Sequence, residues 1–118
     1  MRPLLLLLVF ALSAGPLLSA DEPQVDPFNA PNFIGQTVTV SGVVVAIFVS
    51  KHGKAFLNFG DKYPNQTFTG WIPADTPLAS DPSLQTLRGK TVRITGTIKL
   101  YRGKPEIKIT SKDQIASE

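Results

Sequence analysis

From Thr37 the chain alternates between apolar and polar positions. Val38, Val40, Val44 and Phe48 share one phase, and Thr37, Thr39 and Ser41 fall in the other. Period-two alternation marks a strand with one covered face, because successive side chains point to opposite sides of a pleated backbone. After Gly42 both sides turn apolar as Val43, Val45 and Ile47 join. This predicts one long strand, Thr37–Val49, half exposed at first, covered later and bent at the glycine. Shorter runs predict strands at Ala55–Phe59, Phe68–Ile72, Thr91–Leu100 and Glu106–Thr110.

The pattern repeats. "GQTVTVSGVV" at Gly35 returns as "GKTVRITGTI" at Gly89, and each copy runs into a turn, "KHGK" first and "YRGK" second. A glycine in each turn supplies the positive φ that tight hairpins need. Between the third and fourth strands, Asp81 as N-cap, Pro82 at the first helical position, Leu84 and Leu87 on one face and Gly89 past the end predict a short helix. The order β-β-β-α-β-β, with a bent first strand and a helix after the third, is that of the OB-fold. That fold is a five-stranded Greek-key barrel closed by its helix.

The first twenty residues stand apart. Arg2, an apolar run from Leu4 to Leu12 and a small-residue stretch ending at Ala20 form the pattern of a signal peptide. The expectation is a secreted or periplasmic protein with no transmembrane segment after cleavage. Residues 21–32 carry three prolines and no apolar period, which predicts a flexible linker, and residues 33–118 form the domain. The exported part contains no cysteine, so it folds on apolar burial without disulfides. Eleven of the twelve basic residues but only six of the nine acidic ones lie from Phe33 onward. That balance suits a polyanionic partner.

The stretches "VTVSGVVVAIF", "KAFLNFGDKYPNQTFTGWIP" and "GKTVRITGTIKLYRGKPEIKITSKDQI" resemble exported OB-fold domains of the tRNA-anticodon and helicase-type nucleic-acid-binding group. The resemblance covers nearly the whole chain after Ile34 and implies that fold and a binding role.

OB-folds bind along strands two and three, flanked by the loops between strands one and two and between four and five. Both loops here are basic: Lys51, His52 and Lys54 in one, Arg102 and Lys104 beside Tyr101 in the other. The two loops are expected to rise at one edge and flank one groove. Alternation places Phe56, Asn58, Thr69 and Trp71 outward and leaves Leu57, Phe59, Phe68 and Ile72 to fill the interior. Cations on the rim and aromatic rings between them are what single-stranded nucleic acid requires, for phosphates and bases respectively. Lys99 and Arg93 on the fourth strand are expected to extend the positive track. Charged hairpin tips also serve solubility, and a tryptophan also packs against neighbouring segments.

Catalytic chemistry finds no footing. The one histidine, His52, lies on a hairpin tip, and Asp61, Asp75, Asp81, Glu106 and Asp113 are scattered without paired-carboxylate spacing. No phosphate-cradling glycine motif opens a helix, and the Asp, Arg and Glu set of thermonuclease-type OB enzymes has no counterpart. Neither a cofactor nor a metal is expected. The reading is a non-enzymatic module for single-stranded nucleic acid or another anionic polymer. The alternative is an envelope protein–protein or oligosaccharide-binding adaptor, in which Trp71 stacks on a sugar or proline.

Overall fold

The computed structural model describes residues 22–118; the expected signal peptide lies outside the described residues. Seven strands form: β1 (Gln24–Val25), β2 (Thr37–Val49), β3 (Ala55–Phe59), β4 (Phe68–Ile72), β5 (Thr91–Tyr101), β6 (Lys104–Lys108) and β7 (Ile115–Ser117). Short 3₁₀ helices at Pro27–Phe33, Pro77–Ser80, Pro82–Leu87 and Lys112–Gln114 complete the described chain. The first three predicted strands match residue for residue, and the last begins and ends two residues earlier than predicted. Among the described residues the strand count is seven rather than the expected five, because β1 and β7 add to the outer edges of β2 and β5.

The pairings run β2–β3–β4–β6–β5 and return from β5 to β2, with β4–β6 parallel and the other four pairs antiparallel. Every strand of this circuit turns its inner face to one core. Val38, Val40, Val44, Leu57, Phe59, Phe68, Ile72, Val92, Ile94, Ile98, Ile107 and Ile109 are fully buried there. The largest pair, Phe59 and Phe68, meet with ring centroids 5.4 Å apart. Burying such side chains is worth about 1.5–3 kcal/mol each, and this burial replaces the disulfides the chain lacks.

The segment read as a flexible linker is part of this body. Asp26 caps Pro27–Phe33 by accepting from the Phe28 amide at 2.8 Å, and Val25, Pro27 and Ala30 are buried. Pro27 lies directly on Gly42: a Cβ at that glycine would stand 2.5 Å from the Pro27 Cγ. Proline richness does not mean a loose chain here, because Pro27 starts and Pro31 continues one 3₁₀ segment whose Pro27 and Ala30 are buried.

The predicted helix also changes form. Asp81 does cap Pro82–Leu87, accepting from the Ser83 amide and hydroxyl at 2.9 Å each, bonds that hold its carboxyl below the usual carboxylate range. Leu84 is buried. The predicted segment forms one 3₁₀ helix, Pro82–Leu87, rather than an α-helix, and a second 3₁₀ turn at Pro77–Ser80 precedes it, with Asp81 between them in extended backbone.

Candidate functional site

The outer face of β3 and β4 is organised in rows set by register. Phe48 of β2 lies opposite Phe56 of β3, Phe56 opposite Trp71 of β4, and Trp71 opposite Lys108 of β6. Phe48 and Phe56 stack with centroids 6.1 Å apart and planes 27° apart. Two ammonium groups attend the indole, Lys54 Nζ at 5.2 Å and Lys108 Nζ at 5.6 Å from its centroid. Cations are drawn there by the negative face of the ring.

Phe48 enters this row through a β-bulge. The β2–β3 register slips between Val44 and Ala46, which exchanges the faces of every later residue. Ile47 then pairs with inward Leu57, and Phe48 turns outward with 58% of its surface exposed. The inward placement expected for Phe48 is therefore reversed, and sequence alternation alone carries no mark of the slip. Lys108 was missed for a related reason: its place beside Trp71 depends on the parallel β4–β6 pairing.

The next row is polar. Ala46, Asn58, Thr69, Glu106 and Lys99 follow one another across the strands. Thr69 donates its hydroxyl to the Asn58 side-chain oxygen at 2.9 Å. Asn58 and Thr69 are on the outer face as expected but only 4% and 2% exposed, so Asn58 is a paired, covered amide rather than an open reader. Burial pushes the Glu106 carboxyl above its ordinary 4.5, with Lys54 opposing.

The two basic loops sit at opposite ends of β4, not at one edge. Lys51, His52 and Lys54 belong to the β2–β3 tip, beside Ile72, which pairs with Ala55. Tyr101, Arg102 and Lys104 form the β5–β6 tip, where Lys104 Nζ donates to the Gln66 carbonyl at 3.1 Å, just before β4 begins. Arg102 lies 5.2 Å from the Tyr101 ring centroid and takes φ +51°, followed by Gly103 at +80°. Two successive positive φ values fit the tight turn between β5 and β6. An arginine in that conformation is unusual, since a side chain with a Cβ is strained there.

Lys99 is exposed on β5 and faces Glu106 by register. Arg93 does not extend the track. It pairs by register with Ser41 and Ala116 in the β2–β5–β7 part of the sheet, and its Nε lies 3.7 Å from Glu118 Oε2. Among the described residues, no group of three or more His, Asp or Glu side chains is placed to hold a metal ion. No helix there is long and apolar enough to cross a membrane.

No family model and no curated protein matches the sequence. Solved structures do match. The aspartyl-tRNA synthetase of Entamoeba histolytica aligns with TM-score 0.56 and 20% identity over 99% of this chain and 28% of its own. The Stn1–Ten1 complex of S. pombe gives 0.53 and 18% over 75% and 67%. An OBody bound to hen egg-white lysozyme gives 0.53 and 21% over 75% and 84%. The chain thus spans about a quarter of the synthetase's length. At these identities the likeness is one of fold, a mostly β, OB-like architecture shared by a synthetase, a Stn1–Ten1 complex and a lysozyme-bound OBody.

Proposed function

We propose that the five-strand circuit is an OB barrel, with β1 and β7 as additions, and that it works as a non-catalytic module holding single-stranded nucleic acid on the outer face of β3 and β4. One observation carries this reading. Phe48, Phe56 and Trp71 form a continuous aromatic row over three neighbouring strands, with Lys54 and Lys108 at the indole. Bases stack on such rings at about 1–3 kcal/mol each, without regard to sequence. Lys51, Lys54, Arg102 and Lys104 serve phosphates at the two ends of β4. The first twenty residues direct the protein to the secreted or periplasmic space, where it meets its ligand.

The test is a titration of the purified protein with oligothymidylate, followed by the fluorescence of Trp71, the single tryptophan. Quenching is expected, with log affinity falling against log salt at a slope of about −3 for four phosphate contacts on a single strand. Absence of binding at high micromolar protein overturns the reading.

A second reading, an envelope adaptor for protein or oligosaccharide, draws on Glu106. A half-buried carboxyl in the middle of the face repels a polyanion but accepts hydrogen bonds from sugar hydroxyls or backbone amides. Binding of a neutral oligosaccharide that Trp71→Ala abolishes and salt leaves unchanged supports this second reading.

A further inference from the structure

One edge of β2 is open over the second half of the strand. Up to Val43 that edge is taken by β5. At Val44 it is taken by the chain before β5: the Val44 amide donates to the Lys90 carbonyl at 3.0 Å, and the Val44 carbonyl accepts from the Gly89 amide at 2.8 Å. Beyond Val44 the strand pairs with β3 alone. The Ser50 amide donates to the Lys54 carbonyl at 2.8 Å, so by the alternation of an antiparallel ladder Phe48 and Ala46 also bond toward β3. The N–H and C=O groups of Ile47 and Val49 then point the other way. Among the described residues nothing takes them, and neither 3₁₀ element, Pro77–Ser80 or Pro82–Leu87, lies along this edge.

The side chains leave this edge unguarded as well. Val43, Val45, Phe48 and Val49 are exposed, and the run from Gly42 to Ser50 contains neither a charged residue nor a proline. Free strand edges ordinarily carry charges or prolines, because an open apolar edge recruits another strand. The outermost strands of this fold follow that rule: β1 is flanked by Pro23 and Asp26, and β7 by Asp113 and Glu118. The β2 edge departs from it.

We propose that this edge pairs with the same edge of a second copy of the chain, antiparallel, about a two-fold axis at Phe48. The open groups select that register. With Phe48 opposite its own counterpart, Ile47 of each copy falls opposite Val49 of the other, and every open N–H and C=O gains a partner. Centring on Ile47 or Val49 instead pairs one of them with itself and leaves the other unmatched. Charge selects the occupant. Each copy offers the other an identical, uncharged strand, as an isologous contact requires. The antiparallel direction also carries the basic tips with Lys51, His52 and Lys54 to opposite ends, so like charges do not meet. Edge pairing leaves the outer face open and joins the Phe48–Phe56–Trp71 rows of the two copies at Phe48. The contact is short, so the dimer is weak, with a Kd of about 100 μM. None of this depends on the nucleic-acid reading.

The experiment is sedimentation equilibrium of the purified protein from about 5 μM to about 1 mM, with amide hydrogen exchange measured at both limits. A reversible monomer–dimer equilibrium is expected. The Ile47 and Val49 amides should exchange freely in dilute protein and about fivefold more slowly at the upper limit, where roughly four-fifths of the chains are paired. The Phe48 amide, already bonded to β3, should change little. Val45→Lys puts a charge on the edge and is expected to weaken the dimer at least about tenfold with an unchanged urea midpoint. The exchange measurement needs no variant, so it decides even where Val45→Lys fails to fold. A protein that stays monomeric throughout overturns the proposal, as does a dimer whose Ile47 and Val49 amides keep exchanging freely. Both results leave the nucleic-acid reading as it stands.

Discussion

Val40 and Ile94 face each other across the β2–β5 pair, and they hold the same position in the two copies of the repeated motif. The pairing around them is symmetric. Val38 meets Gly96 as Val92 meets Gly42, and the Gly35 amide donates to Ile98 as the Gly89 amide donates to Val44, at 2.7 and 2.8 Å. Gly35 and Gly89 share φ near +85° as well, at +86° and +83°. The two motifs are thus joined by a local two-fold axis through the Val40–Ile94 pair. An antiparallel two-fold points the two hairpins in opposite directions, which is why the basic tips end up at opposite ends of β4.

Because Val40 and Ile94 are both fully buried at that axis, Ile94→Ala is expected to cost about 2–5 kcal/mol by urea unfolding. Ile94→Val, which removes a single methylene, should cost about 0.5–1.5 kcal/mol.

Gly42→Ala tests the docking of the segment before β2. The added methyl collides with the rigid Pro27 ring, so a loss of about 1–3 kcal/mol is expected. Hydrogen exchange should show it as faster exchange at Thr39, whose amide donates to the Pro23 carbonyl. A segment that was merely tethered would leave both readings unchanged.

Phe48→Ala separates the aromatic row from the core. Among the described residues its exposed ring stacks on Phe56 alone, so stability should change by about 1 kcal/mol or less, while oligothymidylate affinity falls about tenfold. Arg93→Ala, by contrast, should leave that affinity unchanged, since Arg93 pairs with Glu118 away from the row.

Glu106 gives a pH signature. Its carboxyl holds a proton more tightly in the folded than in the unfolded chain. Folding is therefore favoured as pH falls through the raised folded value toward 4.5, and that contribution is lost as pH rises back through the same window. Glu106→Gln is expected to be more stable than the natural protein at pH 7, with the difference vanishing below about pH 4.5 in paired urea titrations. An equal difference at both pH values would show that the carboxyl ionises freely.

Much of this protein was legible along the chain. Alternation located β2, β3 and β4 because a strand with one buried face writes its period directly into the sequence, and the Asp81-Pro82 pair marked a capped turn because capping is local. The outward placement of Phe56 and Trp71, and the charge of both tips, followed from the same local rules. Tertiary structure decided the rest. The slip at Val44–Ala46 moved Phe48 from core to surface, since one residue of register exchanges the two faces of a strand. The parallel β4–β6 pairing brought Lys108 to Trp71 from 37 positions away in the chain. Packing of Pro27 on Gly42 turned a proline-rich stretch into part of the fold. Each of these outcomes depends on contacts between distant segments, and such contacts leave no periodic trace in either segment alone.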